Sequence, residues 1–576
     1  MNVLFLIPAR GASKGFPGKN LATLAGIPLV GRAARVARQA AAALGGECRV
    51  VCSTDDPAIA AAACAWGAEV PFMRPIALAT DEARSLEVVR HALAAIGQRF
   101  ESVVLLQATS PLTEPEDVLR ALDLHRHSGH PVVSVCQADH PIEWHFHMDD
   151  DQRLLPVTRL DRPHQRQGTL PAFRPNGAIY VSSPAQIQAG GFLTSETRGL
   201  LMPASRSVDV DAALDLAVAG AILDAREIPC IEIAGRRIGP GHRCFVIAEA
   251  GVNHNGSLDL AFQLVDAAAE AGADAVKFQT FNAESVVSSE APKAQYQEVN
   301  TGSDESQLAM VRRLELTAAQ HRALQAHCLG RRILFLSTPF DEKSVDLLKD
   351  MGVPALKIAS GEISNLDFLG YIAKQGLPVI LSTGMSAMDE VEAALAVVRA
   401  SGCCSVALLH CVSNYPAAPA DCNIAAMDAM RSAFQLPVGW SDHSLGVHLS
   451  LAAVARGADI IEKHFTLDKG LPGPDHVASL DPSDLGALVR EIRDVELSIG
   501  TGVKVRQAAE ENTAAVARRS IHAARAIGAG HRITREDLVM LRPGTGIPAS
   551  QLDKVVGRMS RRDVQAGSAL SDADLS

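Results

Sequence analysis

Between Cys244 and Phe465 the chain returns eight times to a short apolar run, and most of these runs end on a polar or charged residue: CFVIAEAG, DAVKFQT, LFLSTPF, ALKIASGE, VILSTGM, VALLHCV, PVGWSDH and DIIEKHF. Helix-length stretches separate them, often with Gly or Pro just before the next run, as in AGAD, MGVP, QGLP and RGAD. Strand, helix and turn repeated eight times predicts a closed parallel (β/α)8 barrel, the TIM-barrel architecture, over residues 240–505. Five earlier runs, VLFLIPA, RVVCST, SVVLLQATS, PVVSVCQ and GAIYVSS, predict an open, Rossmann-like α/β domain over residues 1–235. The Gly/Arg-rich AGRRIGPGHR, Ala234 to Arg243, reads as a linker between the two.

The last sixty or so residues contain an echo. RAIGAGHRITREDL (Arg525 to Leu538) returns as RDVQAGSALSDADL (Arg562 to Leu575). Each copy holds an apolar residue, an Ala-Gly turn, another apolar residue, and Thr or Ser three positions before Asp, which is the spacing of a helix N-terminal cap. This predicts a small two-lobed module over residues 515–576, with LRPGTGIP, a Gly/Pro loop carrying Arg542, between the echoes.

The chain has 576 residues, 47% hydrophobic and 21% charged, which describes an ordinary globular protein of two to four domains. A net charge of −11 argues against a nucleic-acid surface, although a local basic pocket for phosphates is compatible with it. The eleven cysteines show no CxxC pattern; Cys403 and Cys404 are adjacent, and Cys48 and Cys52 lie four apart. They are expected to be reduced core thiols of a cytoplasmic protein. The apolar run in MNVLFLIPARG is too short for a signal peptide, and no run approaches a membrane span.

In a parallel barrel the C-terminal strand ends form the active-site mouth. Here those ends offer Glu249, Lys277, Thr338, Lys357, Ser360, Glu362, Ser382, His410, Ser441, Asp442, His443, Glu462 and His464. Packing does not require so many ionisable groups at one rim, so the rim is expected to be catalytic. His443 and His464 end neighbouring strands and suit a divalent transition metal with open positions. Two lysines with the hydroxyls of Thr338, Ser360, Ser382 and Ser441 suit a small phosphorylated carboxylate. In the N-terminal domain IPARGASKGFPGKN follows the first strand. Its glycines and its cations Arg10, Lys14 and Lys19, with Ser13 and Asn20, suit a triphosphate, although the spacing is not that of a P-loop. Asp209 and Asp211 stand at i and i+2 of a strand-like segment, so both carboxylates face one side, as Mg²⁺ requires. Gln107 ends a strand where an amide can read a base edge. The crowd of His125, His127, His130, His140, His145, His147 and His164 lacks regular ligand spacing and is expected to be a polar surface or a dimer face.

The strings IPARGASKGFPGKN, RPIALATD, LLQATSP, FRPNGAIY and SVDVDAALD resemble the CMP-sialic acid synthetases, over nearly all of residues 1–235. The resemblance implies that Arg10, Ser13, Lys14, Lys19 and Asn20 contact CTP, that Arg74 and Gln107 help to bind the nucleotide, that Arg174 and Asn176 of FRPNGAIY bind substrate, and that Asp209 and Asp211 hold Mg²⁺. The family often has Gly at the position of Ala12. The strings AEAGVNHNG, DAVKFQTF, STPFD, KIASGEISNL, LSTGM, LLHC, SDHS and EKHFTLD, in order, resemble the sialic acid synthases, and RRSI with RPGTGI resembles their appended antifreeze-like, β-clip domain. That family condenses phosphoenolpyruvate with an N-acyl-mannosamine-type aldehyde. By resemblance, His443 and His464 bind Mn²⁺ or a similar ion, Glu249 manages the attacking water or the developing cation, Glu362 places sugar hydroxyls, and Lys277, Lys357, Ser360, Ser382 and Ser441 hold phosphoenolpyruvate. Thr338, Ser413 and Tyr415 are further substrate contacts, and Arg542 reaches into the barrel of a partner in a domain-swapped homodimer. CVSNYP stands where the family usually has CT-x-x-YP, and Trp440 where Tyr or Leu is commoner. The expected function is bifunctional: synthesis of an N-acetylneuraminate-type nonulosonic acid from N-acetylmannosamine or a related N-acyl hexosamine, then activation with CTP. The alternatives are the same steps on legionaminic or another diacetamido acid, or one inactive half.

Overall fold

The structure, a computed structural model, describes residues 2–12, 15–158, 171–301 and 305–576. It divides into two compact units, Met1–Leu497 and Ser498–Ser576.

The first unit begins with a six-stranded sheet built from β1 (Val3–Pro8), β2 (Cys48–Ser53), β3 (Ser102–Leu106), β4 (Val132–Gln137), β5 (Phe173–Ser182) and β6 (Arg198–Leu201), in the order β6-β4-β5-β3-β1-β2. β5 runs antiparallel to both of its neighbours, and the other pairings are parallel. Residues 3–7 of β1 are all fully buried, as expected of a strand covered on both faces. β6 was not foreseen: its four residues, RGLL, alternate too little to stand out, and only Leu200 is buried. The chain passes from β1 to β2 on one side and returns to β3 on the other. The strand order therefore reverses beside β1, the place where open α/β sheets bind ligands.

The expected linker is instead a folded element. β7 (Ile231–Ile233) pairs antiparallel with β8 (Arg236–Ile238) through a turn at Ala234 and Gly235, whose φ values of 50° and 78° are both left-handed. Ile231, Ile233 and Ile238 are buried against Phe245, Ile247, Ala275, Leu336, Ala355, Ile380, Ala407, Leu409 and Ile460, the inward residues at the N-terminal end of the barrel. The hairpin closes the barrel floor.

All eight predicted barrel strands form: β9 (Phe245–Gly251), β10 (Ala275–Thr280), β11 (Leu334–Pro339), β12 (Leu356–Ile358), β13 (Val379–Ser382), β14 (Val406–Cys411), β15 (Val438–Asp442) and β16 (Ile460–His464). Their parallel ladder runs β11-β10-β9-β16-β15-β14-β13-β12, with β9 bonded to both β10 and β16, and β11 and β12 lie together to complete a near-closed ring. Side chains alternate across a strand. Val246, Val276, Phe278, Leu408 and Trp440 face outward into the main apolar cluster shared with the helices. The other set faces inward, apolar at the floor and polar two or four residues later at the mouth.

The N-terminal sheet domain and the barrel pack together. From helix Leu29–Leu44, Arg35 Nη1 donates to Ala433 O at 3.1 Å and Gln39 Nε2 to Glu392 Oε1 at 2.7 Å, while Ser432 Oγ donates to Asp224 Oδ1 at 2.6 Å. In the second unit, β17 (Ser520–Ala523) pairs antiparallel with β18 (Leu538–Leu541). The echo is real structure: Thr534 and Ser571 each cap a short 3-10 turn, closed by Asp537 and Asp574, and Arg525 and Arg562 pair with those same aspartates. Among the described residues, no helix is long and apolar enough to cross a membrane. All eleven cysteines are unpaired.

Candidate active sites

A cavity of about 400 Å³ opens at the barrel mouth. Its floor is a network of charges. Lys277 Nζ lies 2.5 Å from Glu249 Oε2 and 3.7 Å from Glu462 Oε2, and donates to Thr338 Oγ1 at 3.0 Å. Lys357 Nζ lies 3.2 Å from Glu462 Oε1, which also accepts from Ser441 Oγ at 2.8 Å. Two cations and two anions are thus held out of water, which requires close pairing. Burial pushes the Glu249 carboxyl up, against Lys277, with Glu462 adding to the rise. Burial would raise Glu462 too, but Lys277, Lys357 and the Ser441 hydroxyl outweigh it and hold that carboxyl low. Burial works to lower both lysines. Glu249 and Glu462 reverse this for Lys277, whereas Lys357 stays below its ordinary value. The arrangement yields a permanent anion, Glu462, that fixes two ammonium groups, and a second carboxylate, Glu249, with raised proton affinity. Such a pair suits binding of a phosphorylated carboxylate next to acid–base work.

Above the floor, His443 Nδ1 donates to Val412 O at 2.6 Å, which leaves Nε2 with its lone pair, 3.1 Å from the Tyr415 hydroxyl. His464 stands beside it, ring centroids 5.5 Å apart, with Nδ1 buried and lacking a hydrogen-bond partner. Burial lowers both, His443 to about 4, so both imidazoles are neutral at physiological pH. Two neutral imidazoles side by side, with only the Tyr415 hydroxyl to displace from His443 Nε2, fit a divalent transition metal. Ser360, Ser382 and Ser413 line the same cavity, and Ser360 Oγ accepts from Gly384 N at 3.0 Å.

The strand alternation sorts the rim. Cys411 and Ser441 face inward. His410 turns outward to bond Cys422 O at 3.0 Å and to pack on Trp440, and Asp442 turns outward to pair with Lys463 at 3.0 Å. Those two expected rim groups are therefore outside the cavity. Glu362 does not line it either: its Oε2 accepts from Asn365 Nδ2 at 2.9 Å. Arg542 is exposed in its loop in the second unit. Glu462 deserved a place among the binding residues. The signal was its position on β16, two residues before His464 and hence on the same inward face.

The N-terminal domain carries its own cleft of about 240 Å³, lined by Pro8 at the end of β1 and Arg10 after it, Lys19, Asn20 and Arg74, and Gln107 and Thr109 after β3. Arg10 Nη2 lies 2.5 Å from Asp81 Oδ1, Asn20 Nδ2 donates to Arg10 O at 2.9 Å, and buried Arg74 is tied to Ser53. Lys19 Nζ lies 3.0 Å from Asp211 Oδ1. Asp209 is bonded to Thr109, and its carboxyl is raised by desolvation and by Asp211. The two carboxylates do not line the cleft themselves but reach it through Thr109 and Lys19, and their segment is irregular chain between a 3-10 turn and a helix, not a sheet strand. Two vicinal carboxylates beside a lysine offer the hard oxygens a Mg²⁺ ion takes. Arg174 is exposed and lines no cavity described here, whereas Asn176 is buried and consumed by Ser134 and Ser207. Ser13, Lys14 and His164 lie outside the described residues. Of the histidine crowd, His125 and His145 bond backbone carbonyls, and no metal-holding group of three or more His, Cys, Asp or Glu occurs among the described residues.

Residues 264–504 match the NeuB family, residues 4–165 a cytidylyltransferase family and residues 518–576 the SAF domain. The chain is 47% identical over 336 residues to the N,N'-diacetyllegionaminic acid synthase of Legionella pneumophila, spanning 58% of this chain and 94% of that one. The chain belongs to the NeuB family. The N,N'-diacetyllegionaminic acid synthase of Campylobacter jejuni is 46% identical over 56% of this chain and 97% of its own length. The human N-acetylneuraminate-9-phosphate synthase is 37% identical over 47% of this chain and 75% of its own length. The NeuB match falls on the barrel, with the cytidylyltransferase domain before it and the SAF domain after it.

Proposed function

We propose that the barrel condenses phosphoenolpyruvate with a hexose carrying two acetamido groups, and that the N-terminal domain transfers CMP from CTP to the resulting nonulosonic acid. The observation that carries the choice of sugar is the wall of the cavity. Val252, Phe281, Met310, Val311, Leu314 and Phe340 form an apolar cluster along one side of it, opposite the charged floor. A polyhydroxylated sugar gains little there, whereas the methyl of a second acetamido group is buried favourably. The names of the relatives at 47% and 46% identity agree with this reading. It takes the diacetamido branch in place of N-acetylmannosamine.

In this reading Lys277 and Lys357 hold the phosphate and carboxylate of phosphoenolpyruvate, with Ser360, Ser382, Ser413 and Ser441 as hydroxyl donors and Glu462 anchoring both lysines. C3 of phosphoenolpyruvate bonds to the aldehyde carbon, whose oxygen becomes a hydroxyl. Water adds at C2, and the C2–O bond to phosphorus breaks to release phosphate and leave the ketone. Of the two protons of water, one ends on the new hydroxyl and one on phosphate. Glu249, with its raised proton affinity, accepts the proton from that water. His443 and His464 would hold a divalent ion, Mn²⁺ or similar, which when bound polarises the aldehyde. In the N-terminal domain Arg10, Lys19 and Asn20 hold the triphosphate, Gln107 and Arg74 border the nucleotide, and Asp209 and Asp211 would hold Mg²⁺. The anomeric hydroxyl of the sugar acid attacks the α-phosphate and pyrophosphate leaves.

Phosphate release from phosphoenolpyruvate, followed by mass spectrometry of the product before and after CTP is added, tests the reading. A diacetamido hexose is expected to give a kcat/KM roughly tenfold or more above that of N-acetylmannosamine. Equal or reversed values overturn the choice of sugar, and absence of a CMP adduct overturns the second step.

A further inference from the structure

Among the described residues, four that line the cavity carry a buried polar atom without a hydrogen-bond partner: Glu249 Oε2, Glu462 Oε2, His464 Nδ1 and Gln307 Oε1. The two carboxylate oxygens face Lys277 in the charged floor, and His464 Nδ1 belongs to the histidine pair above it. Gln307 belongs to neither. It begins helix Gln307–Arg313, which supplies Met310 and Val311 to the apolar wall, and its carbonyl oxygen is shut off from water among those side chains. A desolvated amide oxygen without a donor is costly, and a methionine there would pack at no such cost. Gln297, which also lines the cavity, already accepts from Ala294 N at 3.1 Å.

The position of the wall is fixed. The backbone of Arg313 passes so close over Gly256 that a Cβ there would stand 2.4 Å from Arg313 O, and Gly256 also has a left-handed φ of +78°. Arg312 pairs with Glu284, and Arg313 with Glu305 at 2.8 Å. Gln307 is therefore presented to the cavity on an anchored helix.

An unpartnered acceptor beside apolar side chains is complementary to a group that offers one N–H and one methyl together, which is an acetamido group. We propose that Gln307 selects the acceptor sugar by accepting the N–H of its second acetamido substituent, whose methyl packs on Met310. A hydroxyl would satisfy the oxygen but leave the apolar wall empty. The inference rests on the diacetamido reading above and assigns its discrimination to one atom.

The test measures kcat/KM for the native chain, Gln307→Met and Gln307→Glu, each with a diacetamido hexose and with N-acetylmannosamine at saturating phosphoenolpyruvate. Gln307→Met should lose roughly tenfold of the native preference, through a higher KM for the diacetamido sugar, while Gln307→Glu, which keeps an oxygen at the same reach, retains most of it. A Gln307→Met chain with the native preference overturns the assignment, as does an equal loss in both variants, which would make side-chain chemistry other than the acceptor oxygen responsible. A native chain that prefers N-acetylmannosamine overturns the diacetamido reading itself, and is seen before any variant is compared. If Gln307→Met fails to fold, Gln307→Ala compared with Gln307→Glu decides between the same outcomes.

Discussion

Lys277 Nζ lies 2.5 Å from Glu249 Oε2, with both side chains almost wholly buried, yet Glu249 is the carboxylate whose proton affinity is raised. Lys277 is shared with Glu462, which is held low because it also has Lys357 and the Ser441 hydroxyl. Burial then dominates at Glu249. A carboxylate acting as a base is lost when it is protonated, so condensation should fall as pH drops through a value above the ordinary carboxylate range of about 4. In Glu249→Gln that limb should vanish, along with roughly a hundredfold or more of kcat. Phosphate release measured across pH decides it. An unmoved limb in the variant would assign the titration to another group.

The two chemistries should fail separately. His443→Ala should abolish condensation, lower the bound divalent metal measured by elemental analysis and spare CMP transfer. Asp209→Ala should abolish pyrophosphate release and spare condensation. Asp211 is 77% exposed at its side chain and paired with Lys19, so Asp211→Ala should act more weakly than Asp209→Ala. Full metal content in purified His443→Ala would remove the histidines from the metal site.

The hairpin at 231–238 should be indispensable to the barrel. Three isoleucines buried at about 1.5–3 kcal/mol each place several kcal/mol of barrel stability upstream of β9. A fragment starting at residue 229 should fold and release phosphate, whereas one starting at residue 240 should aggregate or unfold at much lower denaturant. Equal midpoints for the two fragments would show the barrel closed without its floor.

Asp537 accepts from Thr534 N and Oγ1, both at 2.8 Å, from Arg525 at 2.6 Å and from His531 at 2.9 Å. Burial opposes ionisation, but these donors outweigh it and hold the carboxyl well below its usual range. A depressed folded value contributes stability that is fully present above the unfolded value, about 3.9, and is lost as pH falls toward the folded one. Asp537→Ala should cost about 1–2 kcal/mol in the unfolding of the C-terminal unit at neutral pH, as should Asp574→Ala in the second echo. That difference should shrink below about pH 4. A pH-independent loss would assign the effect to packing alone.

Arg542 should act in trans, as the family resemblance implies. Alone, Arg542→Ala and His443→Ala should each be nearly inactive in condensation. Mixed after subunit exchange, about a quarter of the sites should combine an intact metal pair with an intact arginine. Activity no higher than in either variant, with exchange verified, would place Arg542 in its own chain's chemistry or outside it.

The amino-acid sequence by itself determined the eight strands, their order and most of the inward-facing groups. Buried runs between Gly and Pro breaks are local signals, and alternation along a strand needs no distant partner, so Lys277, Lys357, His443 and His464 were legible. The same rule, applied residue by residue, would have excluded His410 and Asp442 and admitted Glu462. The echo at Arg525 and Arg562 was legible because a capping box lies within four residues. What only the tertiary structure decided was which distant groups meet. The isoleucines at 231–238 look like a linker until the empty end of a barrel is there to receive them. Asn176 reads as a ligand until Ser134 and Ser207 use up its amide. The raised carboxyl of Glu249 follows from its burial, opposed by Lys277 and reinforced by Glu462, and burial and Coulomb coupling between residues 213 positions apart depend on distance in space, which no spacing along the chain encodes.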